Sequence, residues 1–182
     1  MNLDKNQESI IIPKKLYDSI ITHCLRKLNK EFLINETKEQ QAFGIIGGTQ
    51  SGKNIFAQMS IELCKNFRQD KTVNDYMNKA INDLAITSEM PVNERAWVSE
   101  PTELKAALDL FEENNMDLIG AYHMHHDNSW KGASDLDIPS ELDEFLAKDT
   151  EIFMFIVRVS KEGKYSIRAF FEGNNEVEIK II

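Results

Sequence analysis

Residues 117–137 constrain the fold and the chemistry of this chain more than any other stretch. A short apolar run, residues 118–122, passes directly into His123-Met124-His125-His126. Such a run predicts a buried strand, and side chains two apart in a strand point to the same face. His123 and His125 are therefore expected to present their imidazoles side by side at the end of a strand.

A polar loop follows the histidines and supplies further candidate ligands. Ser134 and Asp137 lie in it with the spacing Ser-x-x-Asp. If the loop returns Asp137 to the end of the strand, its carboxylate meets the two imidazoles. Three nitrogen or oxygen ligands with one open position are typical of catalytic zinc sites. The sequence therefore predicts a Zn²⁺ site formed by His123, His125 and Asp137.

This pattern resembles the signature of the JAMM metalloproteases, also called the MPN+ or JAB family. In that family an upstream glutamate is followed by His-x-His and then by Ser-x-x-Asp. Residues 42–48, AFGIIGG, resemble the strand on which the family's glutamate lies. The resemblance implies an α/β protein with the MPN/JAB fold, a mixed curved β-sheet flanked by helices with a cytidine-deaminase-like architecture. All of residues 1–182 are expected to form one such domain.

The resemblance also implies a reaction, which is zinc-dependent hydrolysis of a peptide or isopeptide bond. The family's substrates are often conjugates of ubiquitin or ubiquitin-like proteins, so a protein or peptide is the expected partner. Ser134 would donate a hydrogen bond to the developing oxyanion. The position of the family's glutamate holds Gln41, which cannot exchange a proton. Glu39 is therefore the predicted general base, and Glu36 is the next choice.

Two other functions stay open. Gln41 favours a metal-binding interaction module on the same fold that hydrolyses slowly or not at all. Residues 47–53, GGTQSGK, match the G-x-x-x-x-G-K pattern of a phosphate-binding loop. The apolar side chains that alternate along residues 55–63 predict a strand after this loop, whereas a phosphate-binding loop opens a helix. The glycines are therefore interpreted as a hairpin turn, and a nucleotide binder is the weaker alternative.

Composition limits the classes of binding partner and the cellular compartment that we expect for this protein. The formal charge is −9, which argues against binding to a nucleic-acid backbone. Two cysteines, Cys24 and Cys64, are too few for a secreted disulfide framework, and both are predicted to be buried thiols. The N-terminal residues do not resemble a signal peptide, and no run reaches the length of a membrane span. The sequence predicts a cytoplasmic protein without a membrane partner.

The spacing of apolar residues predicts where the remaining helices and strands lie. A helix is expected after Pro13, with His23 on its exposed polar side, and another is expected over residues 103–114 with Thr102 as its N-cap. Residues 73–86 are interpreted as a surface helix, with an insertion over the site that contacts a substrate as the alternative. A further helix should begin after Ser140. The predicted later strands cover residues 152–159, 165–171 and 177–182.

Overall fold

The computed structural model describes residues 3, 6–84, 92, 95–126, 137–160 and 163–182. Within these residues the chain forms seven strands and four α-helices. The strands are β1 (Ser9–Ile12), β2 (Phe43–Ser51), β3 (Asn54–Glu62), β4 (Asp117–His126), β5 (Phe153–Val159), β6 (Tyr165–Phe171) and β7 (Asn175–Ile181). The helices are α1 (Lys14–Leu28), α2 (Lys71–Asp83), α3 (Pro101–Glu113) and α4 (Glu141–Ala147).

The strands close into a barrel in the order β1, β3, β2, β4, β5, β6, β7. β1 completes the barrel because it pairs in parallel with both β3 and β7: Ile10 lies opposite Ile55 on one side and Ile179 on the other. β4 and β5 are also parallel, and the other four pairs are antiparallel. Closure removes the open edges of the sheet. The prediction of an MPN/JAB fold, a mixed curved sheet with cytidine-deaminase-like architecture, is therefore wrong.

Two buried clusters lie on opposite faces of β4. Tyr122 and Met124 belong to the larger cluster, which includes apolar residues of α1 and of the neighbouring strands. The smaller cluster packs Phe111 of α3 against Ile45 of β2. Because side chains alternate along a strand, His123 and His125 project from the face opposite Tyr122. This places both imidazoles on the side of the barrel that α3 covers.

The glycine-rich stretch ends β2 and forms a hairpin, as predicted. Ser51 pairs with Asn54, so Gly52 and Lys53 make a two-residue turn. Gly52 has a φ of 61°, a left-handed conformation that glycine adopts without steric cost. β3 follows the turn directly, whereas a phosphate-binding loop needs a helix at this point. The local structure thus does not provide the phosphate cradle of the nucleotide hypothesis.

The helix ends test the capping predictions. α4 begins after Ser140, whose side chain forms a capping box with Asp143, so the predicted cap is confirmed. α3 begins earlier than predicted: Pro101 is its first residue, and Glu100 rather than Thr102 accepts from the first backbone N–H groups. The described helices include none that is long and apolar enough to span a membrane.

Candidate metal centre

Two imidazoles and one carboxylate converge at the end of β4. Nε2 of His123 lies 2.9 Å from Nε2 of His125. Oδ1 of Asp143 lies 3.2 Å from Nε2 of His123, and Oδ2 lies 3.5 Å from Nε2 of His125. Three potential metal-ligand atoms thus approach one another closely. The predicted histidine pair is brought together, but its acidic neighbour comes from α4.

The spacing of these atoms fits a shared cation. Zinc–nitrogen bonds of 2.0–2.1 Å in a tetrahedral site place neighbouring ligand atoms roughly 3.3 Å apart. The observed separations of 2.9 to 3.5 Å lie around that value. Each Nε2 carries either one proton or one lone pair, so the single proton of His123 cannot serve both His125 and Asp143. A divalent cation would accept all three lone pairs together, which makes the donor set suitable for zinc.

The first turn of α4 fixes the position of Asp143. Oδ2 accepts hydrogen bonds from the backbone N–H and the hydroxyl of Ser140, at 2.8 and 2.7 Å. Ser140 in turn caps the helix by accepting from the backbone N–H of Asp143. The carboxylate is therefore oriented before any cation binds, as is usual for well-supported metal ligands.

The electrostatic environment keeps this carboxylate ionised. Burial would raise the pKa of Asp143, but the adjacent imidazoles, His123 foremost, more than offset burial and hold that pKa well below its usual range. The side chains of His123 and Asp143 keep 19% and 13% of their exposure, so the site can be reached from solvent. An ionised, accessible carboxylate is the form that binds a metal.

A column of stacked rings supports His123. The ring of His123 stacks on Phe43 of β2 with centroids 6.4 Å apart and planes within 15°. Phe43 stacks in turn on Trp97, at 6.0 Å and 7°. The ammonium group of Lys27 lies 5.8 Å from the Trp97 ring centroid. These contacts restrict rotation of the imidazole and thereby fix the direction of its nitrogen.

Asp137, the predicted third ligand, lies elsewhere. Its oxygens accept hydrogen bonds from Arg158 at 3.0 Å and from the hydroxyl of Ser166 at 3.1 Å. The cluster at the histidines contains Asp143 and not Asp137. Ser134, the predicted oxyanion donor, lies outside the described residues. The structure thus joins His123 and His125 but does not bring Asp137 to them.

The predicted general bases are engaged with other groups. Glu39 accepts a hydrogen bond from the side-chain amide of Asn66 at 2.8 Å. Glu36 is buried and binds both terminal nitrogens of Arg26, at 2.5 and 3.0 Å. Burial would raise the pKa of Glu36, but Arg26 and the Leu33 N–H lower it to about 2. Gln41, by contrast, lines the cavity that contains the histidines.

A second Ser-x-x-Asp pattern gives the signal that would have identified Asp143. Residues 134–137 and residues 140–143 both carry this spacing. The second pattern begins α4, and its acid is the N3 residue of a capping box. An acid in that position is held by the helix start and so has one defined direction. The acid that lies beside the histidines is therefore six residues after Asp137 in the sequence.

An apolar cavity of about 800 Å³ adjoins the cluster of His123, His125 and Asp143. His123, His125, Asp143 and Ser140 form part of its wall. The remaining wall is mostly apolar and comes mainly from α2, α3 and α4, from residues 95–99 and from the strands. α2 lines the cavity through side chains such as Val73 and Met77, which agrees with the alternative of an insertion over the site rather than with the preferred surface helix.

A second group of ligand-type residues, His23, Glu36 and Glu62, lies near α1. Here the guanidinium of Arg26 already binds both carboxylates, with Glu62 at 2.7 Å. His23 is buried rather than exposed as predicted, and its Nδ1 lies 2.8 Å from the hydroxyl of Tyr122. Burial and the nearby Arg26 lower the pKa of His23 to about 3. This group is a salt-bridged network with a neutral imidazole.

Comparisons with known proteins bear on the fold. No family model matches the chain, and no curated protein matches it. The solution structure of protein DSY2949 from Desulfitobacterium hafniense is similar, with a TM-score of 0.61 and 19% identity over 95% of this chain and 92% of that one. A protein from Salinibacter ruber gives a TM-score of 0.47 at 14% identity, over 91% and 87% of the two chains. The likeness to the Desulfitobacterium hafniense protein supports the barrel fold and nothing about activity.

Proposed function

We propose that this protein is a zinc-dependent hydrolase that cleaves peptide or isopeptide bonds. The observation that carries the proposal is the convergence of His123, His125 and Asp143 on one point beside a large cavity. Two imidazoles and one carboxylate leave a tetrahedral ion one open position, which is the arrangement of catalytic zinc sites. The resemblance of the His-x-His and Ser-x-x-Asp pattern to JAMM proteases agrees with this chemistry.

The chain's own residues hold and orient the reacting groups. A zinc ion in this position supplies positive charge that acidifies water and polarises a carbonyl group. His123, His125 and Asp143 would hold the ion, and Ser140 orients the carboxylate through two hydrogen bonds. The ring column of Phe43 and Trp97 excludes water from one side of His123. Ser134 stays the proposed oxyanion donor.

The described residues of the proposed active site include no evident general base for proton transfer. Among the described residues that line the cavity, Asp143 is the only carboxylate, and it is a proposed ligand. Gln41 lines the cavity but cannot accept a proton. Because general acid–base catalysis contributes about 10² to 10⁴ in rate, turnover should be slow for a zinc hydrolase.

Gln41 also favours a second candidate, a metal-binding interaction module without turnover. In that case the cation and the cavity would bind a protein or peptide segment and release it intact. For either function we propose a protein or peptide partner, with a ubiquitin-like conjugate as one such substrate. A cytoplasmic setting fits the two free cysteines, because Cys24 is buried and neither forms a disulfide.

Metal content and turnover, measured together, test the proposal. Elemental analysis should find about one zinc per chain in the wild type and none in His123→Ala. The wild type should hydrolyse an isopeptide-linked or peptide substrate slowly, and a chelator should stop the reaction until zinc is restored. Zinc without turnover would select the interaction module, and absence of zinc from correctly folded protein would contradict both functions.

A further inference from the structure

We propose that the cavity beside the metal centre binds a peptide segment with bulky apolar side chains next to the bond that is cleaved. This inference rests on the proposed function and specifies its substrate class. The JAMM resemblance implies a different substrate, because that family often cuts after the glycine-rich C-terminal tail of a ubiquitin-like protein, whereas the volume and lining of this cavity suit large side chains.

The size of the cavity exceeds what a glycine tail would occupy. Its volume of about 800 Å³ lies within the range of roughly 300–1,000 Å³ that is typical of sites for drug-sized ligands. A space of that size accommodates several large side chains. Glycines would leave most of the wall in contact with water, so they would gain little from burial.

Four polar side chains of the wall are gathered in one place, and the wall also contains Gln41, Thr72, Arg95, Ser99 and Thr150. His123, His125, Asp143 and Ser140 contact one another, so they form a single polar patch. Apolar side chains form most of the remaining wall; they include Phe43, Trp97, Met77, Leu104, Leu146 and Met154. A peptide whose carbonyl group meets the polar patch can therefore place an adjacent apolar side chain in the rest of the cavity.

Two apolar side chains at the cavity are exposed, which makes the surface accessible to a ligand. Tyr76 of α2 keeps 59% of its exposure, and Leu146 of α4 keeps 37%. α2 and α4 thus each contribute a large apolar side chain that a bound ligand would cover. Covering apolar surface increases affinity by about fourfold for each buried methylene group.

Trp97 provides a direct readout of binding that does not depend on catalysis. The chain has two tryptophans, so Trp130→Phe leaves Trp97, which lines the cavity, as the single tryptophan, and its emission can be excited selectively. Two uncharged probes would be titrated into this variant: N-acetyl-Leu-Leu-Phe-amide and N-acetyl-Gly-Gly-Gly-amide. The apolar probe should change Trp97 fluorescence and bind at least tenfold more tightly than the glycine probe.

Two exposed leucines give a matched pair of variants. Leu146→Asp should weaken binding of the apolar probe at least tenfold, because it places a charge in the cavity wall. Leu110→Asp is the control: Leu110 of α3 is 41% exposed and does not contribute to the described wall. That variant should bind within twofold of the parent. Equal affinities for the two probes, or equal losses in both leucine variants, would overturn the proposal.

The same titration on chelated protein separates this inference from the proposed function. Preference for the apolar probe should persist without metal, because the apolar wall supplies it. If the preference holds in a protein that never binds zinc, the proposed hydrolase fails while the cavity assignment stands. If zinc and turnover are found but the preference is absent, the cavity assignment fails alone.

Discussion

Oδ1 of Asp143 lies 3.2 Å from Nε2 of His123. The other oxygen of the same carboxylate accepts two hydrogen bonds from Ser140, the residue that caps α4. One acidic side chain therefore joins the start of a helix to the end of a strand. Binding of a cation and docking of α4 against the barrel should stabilise each other, since both depend on this carboxylate.

The first prediction concerns Ser140. Ser140→Ala removes the hydroxyl that orients Asp143, and loss of such a supporting contact weakens metal binding about 10- to 100-fold. The missing N-cap should also lower the free energy of unfolding by about 1 kcal/mol. Zinc affinity would be measured by competition with a chelator, and unfolding by urea titration.

Two variants control that experiment. Ser140→Thr keeps the hydroxyl and should restore most of the affinity. Ser134→Ala alters the serine of the other Ser-x-x-Asp pattern and should leave zinc affinity within about twofold. A larger loss in Ser134→Ala than in Ser140→Ala would contradict the assignment of α4 to the metal centre.

The second prediction concerns proton transfer. Gln41→Glu places a titratable carboxylate of nearly the same shape on the cavity wall. If the metal centre polarises a carbonyl there, the added base should raise kcat at least tenfold, within the usual range for general base catalysis. Steady-state kinetics on a peptide or isopeptide substrate would measure the change. Glu39→Gln should leave kcat within about twofold, because Glu39 is bonded to Asn66.

The third prediction concerns acid stability. His23 has a folded-state pKa of about 3 against an ordinary value of 6.5, so protons bind the unfolded chain more tightly. The contribution of this residue is fully present above pH 6.5 and is lost as the pH falls from 6.5 towards 3. Between pH 6.5 and 4.5 the loss should be about 2–3 kcal/mol.

Comparison with His23→Gln isolates that contribution. Glutamine can still bond to the hydroxyl of Tyr122 but does not titrate. Urea unfolding of metal-free protein should show a steeper decline between pH 6.5 and 4.5 in the wild type than in the variant. Glu36, with its pKa lowered to about 2, should lose its contribution only below about pH 4.5 in both proteins. Parallel pH profiles would contradict a neutral, buried His23.

The fourth prediction concerns the hydroxyl of Tyr122. Tyr122→Phe leaves Nδ1 of the buried His23 without the partner it has at 2.8 Å. The free energy of unfolding should fall by about 1–3 kcal/mol, the usual cost of a buried polar group that loses its hydrogen bond. Tyr165→Phe is the control: Tyr165 is 47% exposed, so its change should stay within about 0.5 kcal/mol. Equal effects of the two substitutions would contradict a structural role for the hydroxyl.

Local patterns predicted much of this structure. Alternation along β4 placed His123 and His125 on one face, and alternation after Lys53 predicted the hairpin in place of a phosphate-binding loop. These features depend on a few consecutive residues. Barrel closure was not predicted, because it requires β1 to pair with β3 and with β7, which follows at the far end of the described chain. Pairing between distant strands has no short-range signature.

Two predictions at the site differ from the structure for physical reasons. Asp137 was predicted because it ends the first Ser-x-x-Asp pattern after the histidines, whereas the structure places Asp143, which ends the second pattern at the start of α4, beside them. His23 was expected to be exposed because it lies on the polar side of α1. Glu36 and Arg26 cover that side with an ion pair, which buries the imidazole among charged groups. The periodicity of apolar residues in α1 cannot predict that His23 is buried, because Glu36 lies outside the helix in an irregular segment.

Zinc stoichiometry in two aspartate variants tests the metal centre most directly. Elemental analysis of purified Asp143→Ala should find no bound zinc, because the carboxylate beside His123 is lost. Asp137→Ala should retain about one zinc per chain, since Asp137 binds Arg158 and Ser166 instead. Retention of zinc by Asp143→Ala together with its loss from Asp137→Ala would contradict the site described above.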